Sequence, residues 1–454
     1  MSSLPLPIVA IVGRPNVGKS TLFNRYAGRR RALVEDVPGV TRDRIAEEVA
    51  VGARRVLLVD TAGLDPEAEA GLPAAIQAQA RAAVEEADAI LLVVDGKVGC
   101  LPEEEEIARA LRRTAKPVAV AVNKIDVPAH LPRAAEFHRL GLPHLRAVSA
   151  EHGSGAWDLL EELVAALPAP ETPPAEEPEP VAGLRIALVG RPNVGKSSLA
   201  NRLVGSERMV VSAVPGTTRD AVDLQLEHAG RRYTLVDTAG IRRPGRRADE
   251  VERASALMAV RALERAEVAF VVVDAAEGFT DADARVAGLA RERGRAAAVL
   301  ANKWDLLPRG AGDRERAREA IAQGLRFMAD TPILPVSARS GLGLERILPL
   351  AETLDAAATR RIATAELNRW LRAAVERHEP AMAQRGTRKR PLKFFYATQT
   401  GVRPPTFVLF CTEPAAVGAS YRRFLENRLR EAFELVGTPV RLRLRARGEK
   451  VDEG

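Results

Sequence analysis

The octapeptide G-R-P-N-V-G-K-S occurs twice in this 454-residue chain, at 13–20 and at 190–197. Each copy fits the phosphate-loop pattern G-x-x-x-x-G-K-[ST], and each follows a short apolar run, 8–12 or 185–189, that reads as a buried strand. Glycines in such a loop let backbone N–H groups converge on phosphate oxygens, and the following helix turns its positive end toward them. A chain that carries the loop twice is expected to bind two nucleoside triphosphates. Gly13, Gly18, Gly190 and Gly195 leave room for the phosphates. Lys19 and Lys196 are expected to reach the β- and γ-phosphates and to act in catalysis. Ser20 and Ser197 are expected to place a hydroxyl on Mg²⁺. Thr21 and Ser198 follow directly and are expected at the nucleotide too.

Other motifs repeat in the same register. D-T-A-G stands at 60–63 and 237–240, the same 177-residue spacing that separates the loops. N-K-I-D at 123–126 and N-K-W-D at 302–305 are 179 apart. S-A at 149–150 and 337–338 is 188 apart, reflecting an insertion over 308–329. This is duplication of a whole domain, too long for a solenoid unit. Asp60 and Asp237 can hold the Mg²⁺ shell, while the amides of Gly63 and Gly240 can sense a γ-phosphate.

The N-K-x-D segments select the base. Asp126 and Asp305 can accept from guanine N1–H and the 2-amino group; adenine offers neither and would leave a carboxylate unpaired. Asn123 and Asn302 can meet the acceptor side of the base, and the stems of Lys124 and Lys303 can cover the ring. Ser149, Ala150, Ser337 and Ala338 are assigned from position alone. Thr41 in P-G-V-T-R-D and Thr218 in P-G-T-T-R-D are expected to complete Mg²⁺ coordination when a γ-phosphate is present, and so to act in catalysis. Thr217 competes with Thr218, which aligns with Thr41. No glutamine follows D-T-A-G to orient an attacking water; Leu64 and Ile241 stand there. Hydrolysis is therefore expected to be slow until a cation or a docked partner accelerates it.

Between the copies, residues 168–181 hold six prolines and four glutamates, which reads as a semi-rigid solvated linker. Apolar runs at 56–59, 89–94, 118–122, 233–236, 268–273 and 297–300 alternate with helix-like stretches such as 73–87 and 249–266. Runs without strict alternation indicate a mostly parallel sheet covered by helices on both faces. The expected organisation is a first GTPase domain at 1–167, a second at 182–355, and a smaller α+β domain at 356–454. The last has the order α-β-β-α-β, with helices over 364–376 and 421–435 and strands over 392–397, 406–410 and 440–447. Its last strand turns Arg441, Arg443, Arg445 and Arg447 outward. Trp157, Trp304 and Trp370 are read as packing residues, and 103–106 as a solvated helix start.

The net charge of +7 is concentrated at this end. Residues 360–450 carry 20 Lys or Arg against 8 Asp or Glu, whereas 1–359 carry 47 against 50. That asymmetry points to a polyanion such as nucleic acid, or else to a solvated basic surface. Two distant cysteines, no long apolar run and no lipidation motif fit a cytoplasmic protein without a membrane span, zinc site or disulfide framework.

The paired loops, the T-R-D pair and two C-terminal runs, L-K-F-F-Y-A-T-Q-T-G-V-R-P-P-T-F-V-L-F at 392–410 and S-Y-R-R-F-L-E-N-R-L-R-E-A-F at 420–433, resemble the bacterial tandem-domain GTPase family called Der or EngA over essentially the whole chain. The resemblance implies a KH-like third domain and a role in maturing the large ribosomal subunit or its precursor; a monomer that makes no membrane contact is expected. It also implies K⁺-stimulated hydrolysis, with Asn16 and Asn193 at the positions that help hold K⁺. The first copy departs from the family, having D-T-A-G where D-T-G-G is frequent. No G-x-x-G loop occurs between 360 and 450, so RNA contact would fall to basic residues such as Arg388, Lys389, Arg390 and Lys393. Two other classes compete: a membrane-associated or signalling GTPase whose basic segment meets anionic lipid, and an RNA-binding scaffold in which nucleotide is only structural.

Overall fold

The computed structural model describes residues 6–28, 46–61, 87–168, 183–205, 210–212, 223–236, 248–308, 310–378, 380, 383–385, 388–390 and 392–446. By contact these fall into two compact units, one within 1–181 and 242–265, the other within 182–241 and 266–454.

In the first unit, β1 (Ile8–Val12) leads into α1 (Lys19–Ala27). Then come β2 (Ala46–Val51), β3 (Arg54–Asp60), β4 (Ala89–Asp95), α2 (Pro102–Leu111), β5 (Val118–Asn123), a 3₁₀ segment Pro128–Leu140, β6 (His144–Ala147) and α3 (Ala156–Ala165). The six strands run β2-β3-β1-β4-β5-β6. All pairings are parallel except β2 with β3, which form a hairpin. Every residue of β1, β4 and β5 is buried. That is the price-free signature of a strand covered on both faces, and it explains why these runs lack polar alternation. Tyr26 and Trp157 meet edge to face at 5.3 Å within the core.

The second unit repeats the plan. Its elements are β7 (Leu184–Val189), α4 (Lys196–Val204), β8 (Val210–Ser212), β9 (Leu224–His228), β10 (Arg231–Leu235), β11 (Val268–Asp274), α6 (Asp281–Glu292), β12 (Ala296–Asn302), α7 (Ala311–Gly324), β13 (Ile333–Pro335) and α8 (Ile347–Thr359); α5 (Ala248–Arg265), which precedes β11 in the chain, is grouped by contact with the first unit. The order β13-β12-β11-β7-β10-β9-β8 gives this sheet seven strands, the extra one being the short β8. The insertion over 308–329 holds α7 and a turn of 3₁₀ helix at Arg326–Met328.

After α8 come α9 (Thr364–Arg377), the hairpin β14 (Ala383–Arg385) and β15 (Arg388–Arg390), β16 (Phe394–Gly401), β17 (Thr406–Cys411), α10 (Ala419–Ala432) and β18 (Arg441–Ala446). The sheet β16-β17-β18 covers a core containing Leu367, Leu371, Phe407, Leu409, Leu425 and Leu429. The order α-β-β-α-β holds, with one added hairpin. Three expectations shift. The strand expected over 392–397 begins at Phe394 and runs to Gly401, because Leu392 turns into the core before pairing starts. The helix expected over 421–435 ends at Ala432. The strand expected over 440–447 is described as Arg441–Ala446. The helix expected over 73–87 lies outside the described residues except for Ala87, as does Arg447.

This third module is fastened to the second sheet. The Ala297 N–H, near the start of β12, donates to the Gly437 carbonyl at 2.8 Å, and the Gly437 N–H donates to Asp330 O at 3.2 Å. Arg403 reaches Asp355 Oδ1 at 2.7 Å and Glu267 Oε1 at 2.9 Å, while its N–H donates to Ala358 O at 3.0 Å. Arg360 donates to the Phe433 carbonyl.

Candidate functional site

Parallel pairing aligns the carboxyl ends of the strands, so the loop after β1 and the ends of β3, β4 and β5 share one edge of the first sheet. In open α/β sheets that edge, where strand order reverses, is where ligands bind. Here the reversal is at β1, the strand that feeds the phosphate loop. The second sheet reverses at β7, which feeds the other loop.

Each loop is shaped by its glycines and by an asparagine from the N-K-x-D segment. Gly18 and Gly195 both have φ +96°, and a Cβ on either would stand 2.3 Å from the side-chain nitrogen of Asn123 or Asn302. That crowding is functional geometry. Asn123 Nδ2 donates to Val17 O at 2.8 Å, and its Oδ1 accepts from Ala150 N at 2.8 Å. Asn302 does the same with Val194 O at 2.8 Å and Ala338 N at 3.1 Å. One buried amide in each domain therefore ties the phosphate loop to the S-A segment. Asn16 and Asn193 adopt positive φ, 63° and 58°, and are exposed.

Lys19 is 5% exposed, and its Nζ donates to the carbonyls of Gly13 and Arg14, both at 2.7 Å. Lys196 donates to Gly190 O at 2.7 Å and Arg191 O at 2.5 Å. Both ammonium groups thus lie folded over their loops. Lys124 donates to Asn16 O at 2.6 Å and to Asp95 Oδ2 at 2.7 Å, and Lys303 pairs with Asp274 Oδ2 at 2.5 Å. Asp95 and Asp274 were not among the expected site residues. Both end an apolar strand and lie 179 apart, so the repeat register itself carried the signal.

The two sites differ at the base-selecting carboxylate. Asp126 accepts from Ser149 Oγ at 2.9 Å and from Lys97 Nζ at 2.7 Å. Lys97 and then Ser149 hold the Asp126 carboxyl below the usual range, and Asp126 in turn raises the Lys97 ammonium. In the second domain Ala276 takes the place of Lys97. Asp305 is exposed and has no hydrogen-bond partner among the described residues. Ser337 lies buried, accepting from Ser340 N at 3.0 Å.

Asp60 is 3% exposed at the end of β3, and the exposed Ser20 is the second residue of α1. A buried carboxylate and a free hydroxyl are hard oxygen donors, which suits Mg²⁺. Thr21 and Ser198 face solvent in the first turns of their helices. Thr41, Thr218, Gly63, Asp237 and Gly240 lie outside the described residues, as do Leu64 and Ile241. In the third module Lys393 is exposed, as are Arg441 and Arg443. Tyr396, 44% exposed, stacks on Phe410 at 4.2 Å.

The expectation that 103–106 is a solvated helix start is corrected at one position. Glu104 is 1% exposed and accepts from Arg14 Nε of the phosphate loop at 3.2 Å. Burial raises its carboxyl above the usual range, opposed by the Leu101 N–H and by Arg14.

Comparison with known proteins places this arrangement. The family described as "50S ribosome-binding GTPase" matches residues 8–124 and again 185–303. The family described as "KH-domain-like of EngA bacterial GTPase enzymes, C-terminal" matches residues 361–445. GTPase Der of Syntrophotalea carbinolica is 47% identical over 98% of this chain and 100% of its own length. GTPase Der of Moorella thermoacetica is 46% identical over 98% and 100%. GTPase Der of Syntrophobacter fumaroxidans is 46% identical over 97% and 98%.

Proposed function

This chain belongs to the GTPase Der family of GTP-hydrolysing enzymes, and from that premise we propose that it is a two-site guanine-nucleotide switch that acts on the large ribosomal subunit or its precursor. The observation that supports two sites is the recurrence of one constellation at both sheet edges: loop, lysine over the loop, bridging asparagine and base-side aspartate.

In this reading Lys19 and Lys196 leave the loop carbonyls and move onto the β- and γ-phosphates. Asp126 and Asp305 take the guanine N1–H and amino group. Asn123, Lys124, Ser149 and Ala150, with Asn302, Lys303, Ser337 and Ala338, frame the base. Ser20, Asp60 and Thr41, with Ser197, Asp237 and Thr218, would hold Mg²⁺, which when bound neutralises charge on the phosphates. Asn16 and Asn193 are assigned to K⁺. With no glutamine beside D-T-A-G, the intrinsic rate is slow and is raised by K⁺ or by the docked particle. The described residues contain no helix long and apolar enough to cross a membrane. The basic third module supplies the RNA-facing charge.

The test is sedimentation with 50S and 30S subunits, beside liposomes of anionic lipid, in GDP and in a non-hydrolysable GTP analogue. Binding to 50S in one nucleotide state, weakening steeply with salt as phosphate contacts require, is the expected result. Particle binding indifferent to nucleotide and salt, or preference for liposomes, would overturn it.

The Lys97–Asp126 pair yields a smaller expectation. Lys97 occupies an oxygen that guanine needs, so Lys97→Ala should tighten GDP binding at the first site, as measured by titration with a fluorescent analogue. The gain should stay below about fivefold, because exposed ion pairs contribute little. Weaker binding instead would assign Lys97 to holding the nucleotide.

A further inference from the structure

Both phosphate loops are gripped from the side by a buried carboxylate that no motif predicted. Arg14 Nε donates to Glu104 Oε1 at 3.2 Å, and Arg191 Nε donates to Asp283 Oδ1 at 2.8 Å. Glu104 is 1% exposed and Asp283 0%. Each is the third residue of its helix, α2 or α6, and each spends its other oxygen on the helix start. Leu101 N donates to Glu104 Oε2 at 3.0 Å. Thr280 N and Oγ1 donate to Asp283 Oδ2 at 2.9 and 2.8 Å. Anchored at one oxygen, the carboxylate cannot swing away, and the other oxygen stays aimed at the loop arginine.

The tie continues inward. The carbonyl of Arg14 accepts from Lys19 Nζ, and that of Arg191 from Lys196 Nζ. A buried carboxylate is costly unless paired, and removing its partner is costlier still. This chain nevertheless keeps one at the same place in both domains, 179 residues apart, with a different acid each time. A helix cap alone would not need the arginine, since glutamine caps as well as glutamate.

We propose that Glu104 and Asp283 are positioning residues for nucleotide binding. Through Arg14 and Arg191 they hold residues 14–16 and 191–193, the outer bend of each loop, in place before the nucleotide arrives, so that the N–H groups that follow the bend are already set to receive phosphate. The proposal rests on the reading of these loops as phosphate sites. Preorganisation of this kind raises affinity by removing the cost of ordering the loop on binding.

The variants Glu104→Gln and Asp283→Asn keep the cap acceptor and remove the buried charge that holds the arginine; Arg191 keeps a second, exposed partner in Glu277 at 3.2 Å, so the loss at the second loop should be the smaller. In the full chain carrying Lys196→Ala, so that the first loop is read alone, Glu104→Gln should weaken GDP and GTP about tenfold and leave competition by guanosine, which has no phosphate, unchanged. Arg14→Gln should do the same, and the double variant should be no weaker than either single one. Asp283→Asn in the Lys19→Ala chain repeats the test at the second loop if the first variant does not fold. Equal losses for guanosine and GDP, additive losses, or unchanged GDP affinity in a folded protein would each overturn the proposal. Failure of the phosphate reading would show separately, as Lys19→Ala binding GDP like the parent chain.

Discussion

Lys19→Ala and Lys196→Ala should each remove one of two guanine-nucleotide sites, so that calorimetric titration with GTP falls from two equivalents per chain to one, and to none in the double variant. Each ammonium group would exchange two loop carbonyls for phosphate oxygens. Hydrogen bonds to charged groups contribute roughly 1.5–3 kcal/mol each. Losing two of them corresponds to a weakening of about 10²-fold or more at the affected site. Hydrolysis at that site should fall with it, because the same ammonium meets charge that grows on the transferring group. The second prediction within this experiment is selectivity: the untouched site should keep its affinity, since the other lysine lies over its own loop. Two unaltered sites in either single variant would remove the basis of the proposed function.

Gly437→Ala should destabilise the second unit far more than Gly52→Ala destabilises the first. Both glycines have nearly the same left-handed backbone, φ +59° and +58°. A side chain pays the same conformational penalty at each, about 1–2 kcal/mol. Their surroundings differ. A Cβ at Gly52 meets nothing within 4 Å, whereas at Gly437 it would lie 2.4 Å from Ala297 O, 2.6 Å from Leu354 Cδ2 and 3.0 Å from Pro332 Cδ. Relieving that clash parts the Gly437 carbonyl from the Ala297 N–H and strands a buried donor, at about 1–3 kcal/mol. Overpacking adds about 1–3 kcal/mol more. The difference between the variants should therefore be roughly 2–6 kcal/mol, a large part of a domain's stability. Melting of the full chain should show a lowered transition for Gly437→Ala alone. Similar melting of both variants would mean that the seam at β12 carries no load.

The sheet and both loops were legible in the sequence for a physical reason. Strands buried on both faces leave uninterrupted apolar runs, and a phosphate loop needs specific residues at fixed spacing, so β1, β4, β5, β11 and β12 announced themselves. The edge strands did not. β2 reads A-E-E-V-A-V, whose two adjacent glutamates are half-buried on opposite faces and break any alternation, and β6 reads H-L-R-A and is only partly buried. β2 is specified by its hairpin with β3, and β6 by parallel pairing with β5, a partner distant in sequence. Glu104 was misread because four consecutive glutamates look alike as text. Only the turn of α2 sends one of them beneath Arg14 while its neighbours stay at least partly exposed. Lys97 was invisible for a related reason: its partner Asp126 is 29 residues away.

The amide of Asn123 holds Val17 on one side and Ala150 on the other, and Asn302 repeats the span between Val194 and Ala338. Each therefore works as a gauge block, setting the gap between the part of the pocket that meets phosphate and the part that meets the ring. A nucleotide with a lengthened or contracted sugar would satisfy one end only by straining the other. Such a pocket measures its ligand as a whole, and a fragment carrying either end alone should bind far less well than its share of the contacts suggests.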